Sequence, residues 1–511
     1  MTEERLKIDS GILQFAPKGA FYEDADEQFQ RVFQMWTELF TFDRTLFCLT
    51  TLLGGTGFSK GSMNHMLLAN PQSVTGKELI PEGMAFDYES KVINYNLSKE
   101  RIPRALKNLL MLTGGEGFVK VNNARTRKII LEYIFNRSNA ELEGLAINYK
   151  SKLKKLTRHA LGKQTVHAIL NGDEKLFNKW IGRYNRHAMT VVLHLFDMRP
   201  VYKTAEPVVY FKKIEKYWEL RKSAQDGDVE KFKSLMKGMP QRTVMGFRNT
   251  YKLQFDKSEV YEKAKMGTRE SLQLESAVKK SGATKVKEIN YKNQDIYDLW
   301  KAFYFKLMSG DPDNMEKIME GIDYQAGKID RIDIGECVVI IDASRSMAGS
   351  DQRKLHPFLT SLSILSTLDN VKDVIYVGGK RVTTPTEDPV SVIIPYNDTD
   401  LWRGLTEAVI TGAPNIVVIS DGYENTVKGM FEHTYNHFKE SGYEFNLVHL
   451  NPVFAADAKT GTGRRLTADT KPLPVSSYKF LETELIFDRM IENREVVKNL
   501  LVNKYNKLLG E

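Results

Sequence analysis

A chain of 511 residues, 42% hydrophobic and 27% charged, is too long for one ordinary core and has the composition of a globular protein with two or more domains. No run approaches the roughly 18 to 20 apolar residues that span a bilayer, and Met1-Thr2-Glu3-Glu4-Arg5 opens without an apolar signal core, so the expectation is a cytoplasmic protein with no membrane contact. The formal charge of +8 is uneven: from Arg331 onward 20 Lys and Arg face 24 Asp and Glu, leaving 53 against 41 before it, an excess suited to a polyanionic partner or, more plainly, to a lysine-rich wet surface.

Residues 1–330 read as a basic helical array. Apolar residues recur at helical spacing over Gln30 to Leu53, Pro103 to Leu112, Arg125 to Phe135 and Leu142 to Leu161. The pattern continues over Val166 to Arg183, Met189 to Phe196, Val208 to Ala224 and Ile296 to Met308, with Gly, Pro, Asn and Asp between segments. Asn171-Gly172-Asp173-Glu174-Lys175-Leu176-Phe177 is echoed by Asp226-Gly227-Asp228-Val229-Glu230-Lys231-Phe232, and a third version opens at Ser309-Gly310-Asp311. Each offers an acidic or amide N-cap after a glycine. Degenerate repeats stacked as a solenoid would produce this; so would ordinary capping chemistry used more than once. Cys48 and Cys337, the only cysteines, sit in apolar surroundings without C-x-x-C spacing, which points to buried free thiols.

Within the array, Tyr149 to Lys163 reads as an amphipathic helix. Leu153, Leu156, Ala160 and Leu161 would face inward, with Lys150, Lys154, Lys155 and Arg158 outward at a spacing that tracks phosphates. His159, Lys163, Arg183, Arg186 and His187 extend the cationic set, and Trp180, near Tyr184, offers a flat face for an unpaired base. The plainer alternative is that Trp180 is core and the lysines are only solvated.

From residue 331 the pattern changes to apolar strands alternating with helices, which implies a mostly parallel sheet in an α/β domain over 331–480. Cys337-Val338-Val339-Ile340-Ile341 runs straight into Asp342-Ala343-Ser344-Arg345-Ser346, and ligands of such folds gather at the carboxyl ends of strands. Asp342, Ser344 and Ser346 give three hard oxygens in one turn, half of an octahedral Mg²⁺ site or a polar turn satisfying its own amides. Helices over Leu355 to Leu368, Leu401 to Val409 and Val427 to Glu440, and strands over Val374 to Val377, Val390 to Ile394, Asn415 to Ser420 and Phe445 to Leu450, complete the region. Asn397-Asp398-Thr399-Asp400 precedes the second of those helices, and the buried strand at 415 ends in Asp421-Gly422.

A first strand with D-x-S-x-S, a Thr loop and a later strand ending in Asp resembles the von Willebrand factor A domain. The resemblance implies a metal-ion-dependent adhesion site at Asp342, Ser344, Ser346, Thr399 and Asp421, holding Mg²⁺ or another divalent cation with a position open to a partner protein's carboxylate. Arg345 stands where many such domains carry Gly. The combination of a basic helical N-terminal part with this domain resembles the Ro autoantigen family, in which a TROVE module of helical repeats forms a ring closed by the A domain. That resemblance implies a noncatalytic protein binding small or single-stranded RNA. An adaptor for a protein machine such as an AAA+ ATPase, or an assembly and scaffold component, are the alternatives. No Walker A loop, H-E-x-x-H or G-x-S-x-G pattern appears, so an enzyme is not expected. Residues 481–511 carry a long apolar stripe from Leu485 to Leu509 and are expected to form an amphipathic docking helix.

Overall fold

The computed structural model describes residues 25–53, 56–70, 85–115, 118–199, 211–284, 288–350, 353–424, 426–453, 465–470, 472–475 and 477–482, with isolated positions beyond. The chain divides into two compact units, one of residues 60–289 and one joining 1–59 to 290–511. The first is helical: among its described residues the only β contact is an isolated bridge between Pro240 and Lys265.

The helix Asn139–Leu161 is the longest in that unit and shows how its sequence sets its limits. Ser138 and Glu141 exchange hydrogen bonds in a capping box at its start, and Gly162 leaves the helical region at φ +79° at its end. Tyr149, at φ −129°, interrupts it midway. The residues expected to face inward do so: Leu153, Leu156 and Ala160 are buried and Leu161 is half-buried.

The single helix expected over Val166 to Arg183 is instead Lys163–Leu170, Glu174–Phe177 and a π turn, Asn178–Gly182. Gly172, at φ +96°, lets the Asp173 amide reach back to the Ala168 carbonyl at 3.0 Å, and the Asp173 carboxylate then accepts from the Leu176 amide at 2.9 Å. The second motif repeats this turn. Gly227 lies at φ +71°, the Asp228 amide bonds the Ser223 carbonyl at 2.9 Å, and Asp228 caps Lys231 at 3.0 Å. Phe177 and Phe232 are both buried. The third version repeats the turn, with Gly310 at φ +65° and the Asp311 amide on the Lys306 carbonyl at 3.0 Å, but its N-cap is Asn314, whose side chain makes no capping bond.

In the other unit a five-stranded, all-parallel sheet forms the core. Its strands are β1 (Cys337–Asp342), β2 (Val371–Val377), β5 (Asn415–Ile419), β6 (Asn446–Asn451) and β7 (Pro472–Pro474), in spatial order β2-β1-β5-β6-β7. Every residue of β1 is buried, as a continuous apolar run requires. Val338 and Ile340 pack with Leu401, Leu405 and Ala408 of the helix Leu401–Ile410. Gly404 makes that approach possible, since a Cβ there would lie 2.7 Å from Val377 and 2.9 Å from Ile340. The strand expected at Val390 to Ile394 does not join the sheet. As β4 (Ser391–Pro395) it pairs antiparallel with β3 (Gly379–Thr383) in a separate ribbon, because Gly378, at φ +77°, turns the chain out of β2.

The compact division falls at 289/290, before the boundary of 330/331 drawn from sequence. Helices Ile296–Ser309 and Met315–Ala326 belong with the sheet. The Tyr304 ring packs edge-on against Phe358 at 5.5 Å, its hydroxyl donates to the Ile393 carbonyl at 2.7 Å, and the Tyr297 hydroxyl lies 2.6 Å from His356 Nδ1. Helices lie on both sides of this division, Thr268–Lys280 before it and Ile296–Ser309 after it, so no change from helix to strand marks it in the sequence. Cys48 and Cys337 are free and buried, as expected. No described helix is long and apolar enough to cross a membrane. The expected docking helix of 481–511 lies largely outside the described residues, although Leu501 is described and buried.

Candidate functional site

The chain passes from β1 to β2 on one side and later to β5 on the other, which makes the crevice beyond β1 and β5 the switch point of the sheet. Asp342 is the last residue of β1, and Asp421 follows β5 by two. Both are buried, as are Ser344 and Thr399, while Ser346 is half-buried and Arg345 exposed. The Ser344 amide donates to Asp342 Oδ1 at 2.9 Å, and the Ser344 and Ser346 hydroxyls lie 3.0 Å apart. The Arg345 amide donates to the Asn397 carbonyl at 2.9 Å, which ties the Thr399 loop to this turn. The Thr426 hydroxyl donates to the Thr399 carbonyl at 3.3 Å.

Electrostatics set the chemistry of this crevice. Burial, and then the neighbouring Asp421 carboxylate, push the Asp342 carboxyl well above the usual carboxylate range, against the hydrogen bonds it accepts. The Thr399 hydroxyl is buried with no hydrogen-bond partner among the described residues. Two mutually repelling carboxylates beside hydroxyl oxygens are a hard donor set, and they fit a small divalent cation that retains several waters. Among the described residues no group of three or more His, Cys, Asp or Glu gathers at one place.

Three residues of this centre escaped the sequence reading. Ser420 donates its hydroxyl to Asp342 Oδ2 at 2.7 Å and accepts from the Gly422 amide at 3.0 Å, which fixes the carboxylate. His449 Nε2 donates to the Ser420 carbonyl at 3.0 Å, and burial pushes that imidazole down to about 4, so it stands neutral beneath the crevice. Gly378 lies where a Cβ would come 2.7 Å from the Asp398 carbonyl oxygen and 3.1 Å from Ser344 Cα. Ser420 was readable as the hydroxyl before Asp421, and Gly378 as the first of a glycine pair after an apolar strand. His449 carries no local signal.

The cationic residues divide differently. Lys155, Arg158, Lys163, Arg183 and Arg186 are exposed, whereas Trp180 and His187 are half-buried. Lys179 lies 5.4 Å over the Trp180 ring, Arg183 stacks on Tyr184 at 4.7 Å, and Arg186 Nε lies 3.1 Å from His187 Nε2. Lys150 and Lys154 are partly buried and held by Asp197. His159 is not on this surface. Its ring is buried, Nε2 lies 2.7 Å from the Val121 carbonyl, and burial lowers its pKa so that it stays neutral. Position 159 shares the inward face with Leu156 and Ala160, and helical spacing outweighs charge there.

No family model matches the chain, and no curated protein matches it.

Proposed function

We propose that the chain is a noncatalytic RNA-binding protein resembling the Ro type. In this reading a von Willebrand A-type domain holds Mg²⁺, and a repeat-like helical part carries small or single-stranded RNA. The observation that carries the domain assignment is the gathering of Asp342, Ser344, Ser346 and Asp421 at the switch point, with the buried Thr399 hydroxyl in the adjoining loop. When bound, the cation would neutralise the two carboxylates and offer one position to an acidic group from a partner protein. Ser420 orients Asp342, and the neutral His449 adds no competing charge.

The RNA part rests on the charge excess before Arg331 and on the exposed Lys155, Arg158 and Lys163 along and just past one helix. Phosphate contacts would dominate affinity, with stacking adding about 1 to 3 kcal/mol per engaged base. The test is a gel-shift series with single-stranded RNA across salt concentrations. Replacing Lys150, Lys154 and Arg158 together by Ala weakens binding across sequences and flattens the salt dependence; absence of wild-type binding at low salt ends the RNA reading. The buried Asp342 carboxylate beside Asp421 supports a second reading, an adaptor for a protein machine such as an AAA+ ATPase. Purification from the host separates the two, since recovered small RNA supports the first and a stoichiometric ATPase the second.

A further inference from the structure

Three cations of the helical unit converge on one carboxylate. Lys150 Nζ lies 2.8 Å from one oxygen of Asp197, Lys154 Nζ lies 2.6 Å from the other, and Arg221 Nη1 is 3.7 Å from the first. The lysines come from the helix Asn139–Leu161 and the arginine from Lys212–Gln225. Aromatic rings seat them: Lys150 lies 5.3 Å from the Tyr217 centroid and 5.0 Å from that of Trp218, and Arg221 lies 5.1 Å from Trp218. Lys154 and Arg158 share the Phe196 ring at 5.8 and 5.6 Å. His194 packs edge-on against Tyr217 at 4.7 Å and is held neutral by burial, down to about 3, so it adds no charge.

The cluster is overcharged for an internal ion pair, with three cations on one anion. The Asp197 side chain remains 48% exposed, so solvent reaches the cluster. Asp197 also sits at φ +65°, a left-handed conformation that a non-glycine residue adopts only against a steric penalty. That carboxylate therefore occupies, at some backbone cost, the focus of a cationic cradle. Beyond it the exposed Lys155, Arg158 and Lys163 continue the positive charge, which suits a chain of phosphates better than a single one.

We infer that Lys150, Lys154 and Arg221 form a phosphate-docking site for single-stranded RNA, in which Asp197 pre-orders the cations and competes with the incoming phosphate. This rests on the RNA reading above and adds two residues that sequence did not place there, Asp197 and Arg221. An intramolecular counterion keeps the cations from collapsing onto other carboxylates, at the expense of affinity.

The test is fluorescence anisotropy of the full chain with a fluorescein-labelled oligouridine at several salt concentrations. Asp197→Asn preserves size and tolerates the left-handed backbone. It tightens binding several-fold and steepens the slope of log affinity against log salt by about 0.7, the value of one added phosphate contact on a single strand. Arg221→Gln weakens binding and flattens the slope by about the same amount. If the wild type binds and both variants match it in affinity and slope, the docking site is overturned while the RNA reading stands. If the wild type does not bind at low salt, the RNA reading itself fails. Weaker binding by Asp197→Asn with an unchanged melting curve overturns the competition. Should that variant melt early, Arg221→Gln decides alone: a flattened slope supports the site, an unchanged one overturns it. Inorganic phosphate displacing the oligouridine at equal concentration would mean a single-phosphate site and overturn the assignment to RNA.

Discussion

In the α/β unit the ends of two parallel strands press two carboxylates together, Asp342 and Asp421, whereas in the helical unit two helices bring Lys150, Lys154 and Arg221 around one carboxylate, Asp197. The strands fix their charges by backbone register, and each carboxylate raises the energy of its neighbour. The helices fix theirs by long side chains that have already found a counterion. On the proposed reading a cation completes the register-built cluster, and its response would be steep. A cluster with an internal counterion gives a graded response, because a ligand only exchanges one anion for another.

The largest effect expected from this contrast is at Asp342. Asp342→Ala abolishes Mg²⁺ binding seen by isothermal titration, and it also removes the Mg²⁺-dependent rise in stability. For the wild type that rise is about 2.7 kcal/mol at a concentration 100 times the dissociation constant. In chelator the variant melts no lower than wild type, since the repulsion with Asp421 is gone. Undiminished Mg²⁺ affinity in the variant would dismiss the metal centre.

Gly378→Ala tests whether backbone register builds that centre. A side chain at φ +77° and 2.7 Å from the Asp398 carbonyl oxygen costs about 2 kcal/mol, read as a lower urea midpoint, and Mg²⁺ affinity falls with it. A wild-type midpoint would mean that the Thr399 loop yields freely. Ser420→Ala is milder. Losing the hydrogen bond that fixes Asp342 lowers Mg²⁺ affinity about tenfold with little change in melting, and an unchanged titration would remove Ser420 from the centre.

The smallest effect lies in acid. Burial alone would push Asp197 up, but the hydrogen bonds from Lys150 and Lys154 override it and bring the carboxyl down from 3.8 to about 2. A depressed pKa gives stability that is fully present above about 4 and is lost as pH falls through about 2. Asp197→Asn therefore gives a shallower loss of stability over that interval. Acid unfolding curves that superimpose would show that the three cations gain nothing from this carboxylate.

The α/β elements were legible because buried parallel strands leave unbroken apolar runs, and β1 and β5 stand where those runs placed them. Asp342, Ser344, Ser346 and Asp421 were legible for the same reason: each lies at or just past the end of such a run. Two kinds of information were not. Strand partnership was lost at Ser391–Pro395, whose apolar residues suit a sheet as well as a ribbon, until Gly378 turned the chain away. Charge surroundings were lost at His159 and Lys150, since composition counts a cation without saying whether Val121 or Asp197 already holds it. The three Gly-Asp turns were readable residue by residue, because a positive φ, followed in the first two by a side-chain cap, is local chemistry.

The strand β7 has one further consequence, for how this protein meets copies of itself. The Val475 amide just after β7 bonds inward to the Asn451 carbonyl at 2.7 Å, so by strand alternation the amides of 472 and 474 would point away from the sheet. Both positions are proline and carry no N–H to offer. At the opposite edge the Asp373 carboxylate accepts from the Val374 amide at 2.8 Å, and Lys372 pairs with Glu336 at 3.3 Å. Among the described residues the β7 edge offers no outward amide at 472 or 474, and at the β2 edge the Val374 amide is already taken. Strand-to-strand aggregation, the common hazard of an open parallel sheet, is discouraged at the β7 end by two prolines that take no part in either candidate site.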